Sequence, residues 1–275
     1  MAKECSNSDC SQESCEGCSQ RPVDFRVAPN EFTRVKHVIG VVSGKGGVGK
    51  STVTAGLAVA LNRQGFRVGI LDADITGPSI PRMFGVTALG GLEGEQWMIP
   101  AESETGIEIV SLNLLMEDKE APVIWRGPVI AGALKQFSSD VILGDLDYLL
   151  VDMPPGTGEE PLTVFQSLPV DGILLVTSPQ GLVEMVVRKA WHMAEQMNIP
   201  ILGVIENFSY VLCPDCGRKI HVFGESHLEA WSQETGTLIS ARKPLPPEEA
   251  ELADTGRMEM IPALDFDGIT AVLPR

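Results

Sequence analysis

The sequence predicts an α/β fold in which a mostly parallel sheet carries helices on both faces. From about residue 36 onward, short runs of Val, Ile and Leu alternate with longer stretches of helical periodicity. A glycine-rich segment joins the first apolar run to the first helical stretch, and Asp residues end two later runs. Continuous apolar runs separated by helices are typical of parallel strands that are buried on both faces.

The elements follow one another in regular order. The predicted strands are His37–Ser43, Arg67–Asp72, Glu108–Leu112, Tyr148–Asp152, Gly172–Thr177 and Ile201–Glu206. The predicted helices are Ser51–Gln64, Val129–Ser138, Pro161–Ser167 and Leu182–Met197. The last of these carries His192 and Met193, which we expect to pack in the core. Gly85–Thr105, rich in Gly and Glu, predicts a loop or hairpin insertion.

Composition limits the classes of function. The 275 residues suffice for one large domain, predicted to span residues 31–275. The net charge of −16 disfavours nucleic acid and anionic membrane as partners, since both require clustered Lys and Arg. We find no apolar leader and no run of 18 apolar residues, so we expect a cytoplasmic protein. In a reducing compartment, thiols are expected to hold metal rather than form disulfides.

The N-terminal segment, residues 1–30, differs from the rest of the chain. It contains few large apolar side chains among its Ser, Glu, Gln and Asn residues, so burial cannot offset the entropy of ordering it. We predict a flexible tail that becomes ordered only when its thiols are ligated. The candidate metal ligands of the tail are Cys5, Cys10, Cys15 and Cys18.

The glycine-rich segment matches the phosphate-binding pattern G-x-x-x-x-G-K-S/T. It consists of Gly44, Lys45, Gly46, Gly47, Val48, Gly49, Lys50 and Ser51, followed by Thr52. A predicted strand precedes it and a predicted helix follows it, which is the context that the motif requires. Its backbone N–H groups and the helix N-terminus would bind phosphate oxygens, with Lys50 on the β- and γ-phosphates and Ser51 on Mg²⁺. The segment therefore predicts a bound nucleotide.

Carboxylates and glycines follow two of the later strands. Asp72 and Asp74 come at the end of the second strand, where side chains point into the ligand crevice of a parallel sheet. Asp152 ends an apolar strand in the Walker B arrangement, which holds Mg²⁺. Gly156 would allow the backbone to approach the γ-phosphate. The competing interpretation of Asp72 and Asp74 is an ordinary strand-to-loop transition.

Cys213 and Cys216 form a C-x-x-C pair on a predicted tight turn. Both thiolates can reach one metal centre, but zinc or a four-iron cluster requires four ligands. A second chain, the tail cysteines or nothing at all could supply the remainder, and His221 is a further candidate. A zinc knuckle is an open alternative. The sequence places no helix N-terminus nearby to lower a thiol pKa, which disfavours a redox-catalytic pair.

The motifs together resemble a known family. Lys45, directly after the first glycine, resembles the deviant Walker A loop of the MinD, ParA and nitrogenase iron protein superfamily. The loop, residues 72–79, Trp125 to Pro128, residues 152–159 and Cys213 to Gly217 occur in the order of the Mrp/ApbC family of P-loop ATPases. The resemblance implies that Lys45 contacts the nucleotide of a partner chain and that Asp74 positions the attacking water. It also implies a supporting role for Asp72 near Mg²⁺, and adenine recognition by Asn207.

By the same resemblance, the chain is expected to be a slowly hydrolysing ATPase that forms a homodimer. The dimer would bridge a 4Fe–4S cluster between its Cys213 and Cys216 pairs and transfer it to apo iron–sulfur proteins. Lys45, Lys50 and Asp74 are the expected catalytic residues. The tail resembles that of the cytosolic cluster scaffolds, with shorter cysteine spacing. The alternatives are a MinD-like membrane ATPase, a nitrogenase-like reductase, and a ParA-like switch with a structural zinc clip.

Overall fold

The computed structural model describes most of the chain. The described residues are 29–74, 77, 79–88, 91–93, 97–111, 127–180, 183–224, 226, 228–245, 247–261 and 266–275. The predicted tail and its four cysteines lie almost entirely outside this part of the chain, and so do Trp125 and Arg126. The predicted division into a tail and one ATPase domain therefore stays a prediction.

The described elements alternate between strands and helices. The strands are β1 Arg34–Ser43, β2 Val68–Asp72, β3 Gly91–Glu93, β4 Trp97–Ile99, β5 Ala101–Glu102, β6 Glu108–Ser111, β7 Asp145–Asp152, β8 Gly172–Thr177, β9 Ile201–Leu212, β10 Lys219–Ile220 and β11 Ile239–Pro244. The helices are α1 Lys50–Arg63, α2 Ile80–Met83, α3 Gly127–Asp140, α4 Glu159–Ser167, α5 Val183–Gln196, α6 Leu228–Thr235, α7 Pro247–Asp254 and α8 Asp267–Thr270, with a 3₁₀ turn at Met258–Met260.

Nine of the described strands form one sheet. Its order is β10-β9-β8-β1-β7-β2-β6-β5, with β11 also paired to β9. The pairs between β9 and β6 along this path are all parallel, whereas β10 and β5 pair antiparallel at the ends. The remaining strands, β3 and β4, form a separate antiparallel hairpin. This topology confirms the predicted α/β fold with a mostly parallel sheet.

The sheet is covered on both faces because the inner parts of its central strands are apolar on both sides. Along β1, Val38 and Val42 belong to one buried cluster, and Ile39 and Val41 belong to the cluster on the opposite face. Helix α1 is buried along almost its whole length, since it is built from Ala, Val and Leu. Each fully buried side chain of Val or Leu size contributes about 1.5–3 kcal/mol. Among the described helices, none is long and apolar enough to cross a membrane.

Three details differ from the sequence predictions. Strand β9 continues past Glu206 to Leu212. The predicted insertion contains the β3–β4 hairpin and β5, so part of it joins the sheet edge. His192 was predicted to lie in the core, but its side chain is 62% exposed. It occupies the solvent face of α5, because the adjacent Met193 takes the buried position.

Candidate functional site

The glycine-rich loop connects β1 to α1 in the conformation that a phosphate-binding loop requires. Gly47 and Gly49 have φ of +78° and +77°, values that side-chain-bearing residues rarely adopt. Gly49 is the N-cap of α1 and forms no side-chain cap, so the first N–H groups of the helix are available to an anion. A Cβ atom placed on Gly46 or Gly47 would meet nothing within 4 Å. The loop therefore presents a backbone surface with open space in front of it.

Asp152 is the centre of the polar cluster beneath this loop. It is fully buried, and its carboxylate lies 2.8 Å from Lys50 Nζ. Ser51 Oγ donates to Oδ2 at 2.6 Å, and Thr54 Oγ1 donates to Oδ1 at 2.9 Å. The structure thus brings together three residues predicted from the sequence and adds Thr54. Thr54 was not predicted from the sequence, although its position one helical turn after Lys50 places it on the same face of α1.

Asp72 and Asp74 lie beside this cluster with different surroundings. Asp74 Oδ2 is 3.9 Å from Lys50 Nζ. Asp72 is the register neighbour of Asp152 and accepts hydrogen bonds from the backbone N–H groups of Asp74 and Ile80. Burial, and after it the charge of Asp152, raises the pKa of Asp72 well above its usual value. Asp72 thus stabilises the backbone conformation of the segment after β2, which contains Asp74.

The other predicted nucleotide residues surround the same loop. Gly156 N donates to Ser43 O at 2.8 Å, so the segment after β7 is fastened to the end of β1. Lys45 Nζ donates to Gln180 Oε1 of the same chain at 2.6 Å and is exposed. Asn207 is buried, and its Nδ2 donates to the Val48 carbonyl at 3.0 Å. One amide N–H and the side-chain carbonyl of Asn207 are free of that bond, and its predicted adenine contact stays a prediction.

Strand β9 connects the nucleotide loop to the cysteine pair. Beyond Glu206, β9 continues to Leu212. The chain then turns and returns as β10, which pairs antiparallel with β9. We call residues 209–224 the cysteine arm. Cys213 N donates to Arg218 O, and Gly217 N donates to Cys213 O with Gly217 at φ +68°. The pair predicted from the sequence therefore lies on a hydrogen-bonded turn that projects past the carboxyl edge of the sheet.

The turn prepares the first thiol to act as a ligand. Backbone N–H groups of Cys216 and Asp215, and then the Cys216 thiol, donate to Cys213 Sγ and lower the pKa of Cys213. The sequence places no helix N-terminus near this thiol, and the structure shows that the turn itself supplies the donors that lower the pKa of Cys213. Among the residues that the structure describes, no group of three or more His, Cys, Asp or Glu side chains could hold a metal. His221 Nδ1 lies 3.1 Å from Ser209 O.

The cysteine arm also exposes apolar surface. Its four exposed large apolar side chains are Leu212, Ile220, Val222 and Phe223, which are between 39% and 57% accessible. Isolated exposed apolar residues are ordinary, but a group of them beside two ligand thiols indicates a contact surface.

Comparison with known proteins identifies the family. Residues 34–267 match the ParA family, described as NUBPL iron-transfer P-loop NTPase. The chain belongs to this family. The match confirms the resemblance and the fold that the sequence motifs implied.

Relatives and a solved structure agree with this assignment. The iron-sulfur cluster carrier protein of Methanocaldococcus jannaschii is 46% identical over 234 residues, which cover 85% of this chain and 80% of the relative. The protein of the same name from Clostridium perfringens is 43% identical over 93% of this chain and 92% of its own length. A nucleotide-binding protein from Archaeoglobus fulgidus, solved in complex with ADP, has a TM-score of 0.75 at 40% identity, covering 85% of this chain and 91% of its own.

The residues of the loop fit a nucleotide on structural grounds. Besides the open space before Gly46 and Gly47, the loop region contains a polar atom without a partner. Ser43 Oγ, at the end of β1, is buried and has no hydrogen-bond partner. A buried hydroxyl without a partner costs free energy unless a ligand or water completes it. Ser51 and Asp152 provide the hard oxygen ligands that Mg²⁺ prefers.

Proposed function

We propose that this protein is an ATP-dependent iron–sulfur cluster carrier, which binds a 4Fe–4S cluster between two chains and transfers it to apo-proteins. The observation that carries the proposal is the position of the two sites on one strand. Strand β9 contacts the phosphate-binding loop through Asn207 and ends at Leu212, directly before Cys213. Iron transfer is the activity named in the family description, and cluster carriage is named for the relatives.

The nucleotide site suits slow hydrolysis of ATP. Lys50, Ser51 and the loop N–H groups would hold the phosphates, while Ser51 and Asp152 would hold Mg²⁺, which supplies charge neutralisation when bound. Asp74 lies near Lys50 and is the proposed residue that orients the attacking water. Lys45 is exposed at the rim, so it would contact the nucleotide of the partner chain after exchanging its bond to Gln180.

The ligand count supports a homodimer. One arm provides two thiols, whereas a four-iron cluster is held by four. The exposed apolar side chains of the arm supply surface that a second copy would cover. A twofold pairing of arms would bring both cysteine pairs together, since the same surface then faces itself.

The fold also restricts how the tail of the same chain could complete the site. Ser43 and Ile205 lie at one level of the sheet, because both align with Val176. Arg34 lies below that level and Cys213 beyond it, so at 3.3 Å per residue the two are at most about 55 Å apart, the separation that fully straight strands would give.

The chain from Cys18 to Pro29 is shorter than that distance. It spans at most about 40 Å when fully extended. Asn30 is bonded to the backbone of Ser138 beside the start of β1, so the attachment point of this segment lies at the amino edge of the sheet. Cys18 could therefore approach the arm of its own chain only through an almost fully extended segment, whereas a second arm supplies the same pair of thiols directly.

Metal analysis tests the proposal. We expect about two irons and two acid-labile sulfides per chain at the arm of anaerobically purified protein. The variant Cys213→Ala/Cys216→Ala should lose this iron and sulfide. The matched variant with Ala at Cys5, Cys10, Cys15 and Cys18 should keep it. Zinc without sulfide, even after anaerobic reconstitution, would contradict cluster carriage and support a nucleotide switch with a zinc clip.

Transfer requires a separate experiment. The variant Lys50→Ala should keep the cluster, because Lys50 lies in the loop and not on the arm, but it should fail to deliver the cluster to an apo-ferredoxin in the presence of Mg-ATP. Delivery at the wild-type rate would contradict control by the nucleotide.

A further inference from the structure

Glu206 is a buried carboxylate at the base of the cysteine arm. It is 1% exposed, and its two oxygens accept hydrogen bonds from two different hydroxyl groups. Ser209 Oγ donates to Oε2 at 2.7 Å, and Ser226 Oγ donates to Oε1. Ser209 is the first residue of the arm, and Ser226 lies two residues beyond its last residue. One carboxylate therefore fastens both ends of the arm.

The charge of Glu206 is balanced from the neighbouring strand. Arg242 Nε on β11 lies 3.3 Å from Oε2, and the same guanidinium pairs with Glu229 on α6. Ser226 Oγ in turn accepts a hydrogen bond from Leu228 N, the first residue of α6, at 3.1 Å. If Glu206 served only as the ion-pair partner of Arg242, it would not need hydrogen bonds from a hydroxyl at each end of the arm. Such a connected polar network holds its members in one arrangement.

The two residues after Glu206 lie against the phosphate-binding loop. Asn207 donates to the Val48 carbonyl. A Cβ on Gly49 would lie 2.3 Å from Asn207 Nδ2 and 2.8 Å from Phe208 Cζ, so no free space separates the loop from β9. Phe208 has φ +58°, a backbone conformation that a bulky residue keeps only where its neighbours impose it. Displacement of the loop must therefore displace residues 207 and 208.

We propose that Glu206 is a positioning residue that couples the cysteine arm to the phosphate-binding loop, so that a nucleotide at the loop sets the position of the arm. The inference rests on the proposed nucleotide binding and adds to it the route by which the nucleotide reaches the cysteines. The route runs from Val48 and Gly49 through Asn207 and Phe208 to Glu206. From there the hydroxyls of Ser209 and Ser226 transmit the displacement to both ends of the arm.

Hydrogen–deuterium exchange of the full chain, with and without Mg-ADP, tests this coupling. In the wild type, we expect Mg-ADP to slow exchange both in the loop and, by about threefold or more, in the arm. In Ser209→Ala/Ser226→Ala, the loop should still respond to Mg-ADP while the arm no longer does. Ser226→Thr keeps the hydroxyl and should restore the response of the arm. Ser167→Ala, which removes a buried serine hydroxyl on α4, is the matched control and should behave as the wild type.

The outcomes separate the coupling from the function on which it rests. A response of the arm that persists in the double variant would overturn the coupling, and so would a wild-type arm that ignores Mg-ADP while the loop responds. A wild-type loop that does not respond would overturn nucleotide binding itself, and the coupling with it. Ser226→Ala alone repeats the test with a single, partly exposed hydroxyl removed, in case the double variant does not fold.

Discussion

At Asp152, three donors converge on one fully buried carboxylate, and Thr54 is the donor that the phosphate-binding motif does not specify. We expect Thr54→Val to lower the free energy of unfolding by about 1–3 kcal/mol, because it removes one of the hydrogen bonds to a buried carboxylate while keeping the shape of the side chain. Affinity for Mg-ADP should also fall, since Asp152 is then held less firmly. Urea unfolding and calorimetric titration measure the two effects.

The control for this variant is Thr163→Val. Thr163 Oγ1 donates only to the carbonyl of Glu159 on its own helix and is exposed. We expect its free energy of unfolding to change by less than about 0.5 kcal/mol, as surface substitutions generally do. If both variants lost the same free energy of unfolding, the hydrogen bond from Thr54 to Asp152 would contribute no more to stability than that of Thr163.

A second residue-scale consequence concerns Glu108, on β6 far from the nucleotide loop. Burial and the facing carboxylate of Glu102 raise its pKa to about 7, and its Oε2 is buried without a partner. A carboxyl group whose pKa is raised by folding contributes stability below its unfolded pKa of about 4.5. That contribution is lost as the pH rises from there through 7.

We therefore expect Glu108→Gln to be more stable than the wild type at pH 8 and nearly equal to it at pH 4.5. Each pKa unit corresponds to about 1.4 kcal/mol, and partial solvation of the group reduces the expected gain at pH 8 to about 1–2 kcal/mol. Chemical unfolding at the two pH values measures the difference. A gain that is the same at both pH values would show that the charge of Glu108 is not its cause.

At the scale of elements, glycines of the phosphate-binding loop have two different roles: one allows the backbone conformation, and the other leaves space for a ligand. Gly49 has a positive φ and no room for a Cβ, so Gly49→Ala should lower stability by about 2 kcal/mol or more and abolish nucleotide binding. Gly46 has open space in front of its backbone. We expect Gly46→Ala to keep the stability of the wild type but to bind Mg-ADP more weakly, because the methyl group enters the space that phosphate would use.

Thermal unfolding and nucleotide titration of the two variants provide the comparison. Loss of stability in Gly46→Ala would mean that the loop needs this glycine for folding. Weaker binding of Mg-ADP by this variant would then reflect the lost stability and would not locate the phosphate.

Elements differ in how far the sequence predicts them. Strands β1, β2 and β7 were predictable because their apolar runs are continuous and end in recognisable motifs, and β8 because its apolar run is continuous. The outer half of β9 was not, because Asn207 and Ser209 interrupt the apolar pattern that marks the inner half. The left-handed conformation of Phe208 had no local signal either, since such positions usually carry glycine. It follows from the packing of β9 against Gly49, which only the three-dimensional structure supplies.

The same limit applies to the candidate site. The motifs predicted which residues would meet at the loop, because each motif fixes its own local backbone. They did not predict that Glu206 receives a hydroxyl from each end of the arm. Ser209 and Ser226 are distant from each other in the sequence, and serine is too common to indicate a contact without the fold.

At the scale of the whole molecule, the arm and the net charge make opposite contributions to pairing. Two chains of charge −16 repel each other, whereas the apolar side chains of two arms attract. If Val222 lies in the shared surface, Val222→Glu buries a charge there and should weaken the dimer of cluster-loaded protein at least about tenfold. The variant should fold normally, because the side chain is 57% exposed in one chain.

Sedimentation of cluster-loaded protein measures this effect, with Met260→Glu as the control for an equally exposed apolar residue outside the arm. Raising the salt concentration adds a second criterion. Salt screens the repulsion between the acidic chains and leaves apolar contacts in place, so the wild-type dimer should become tighter. A dimer that dissociates with added salt would instead be held by ion pairs. Equal weakening by Val222→Glu and Met260→Glu would place the interface elsewhere, and the exposed residues of the arm would then be available to the acceptor of the cluster.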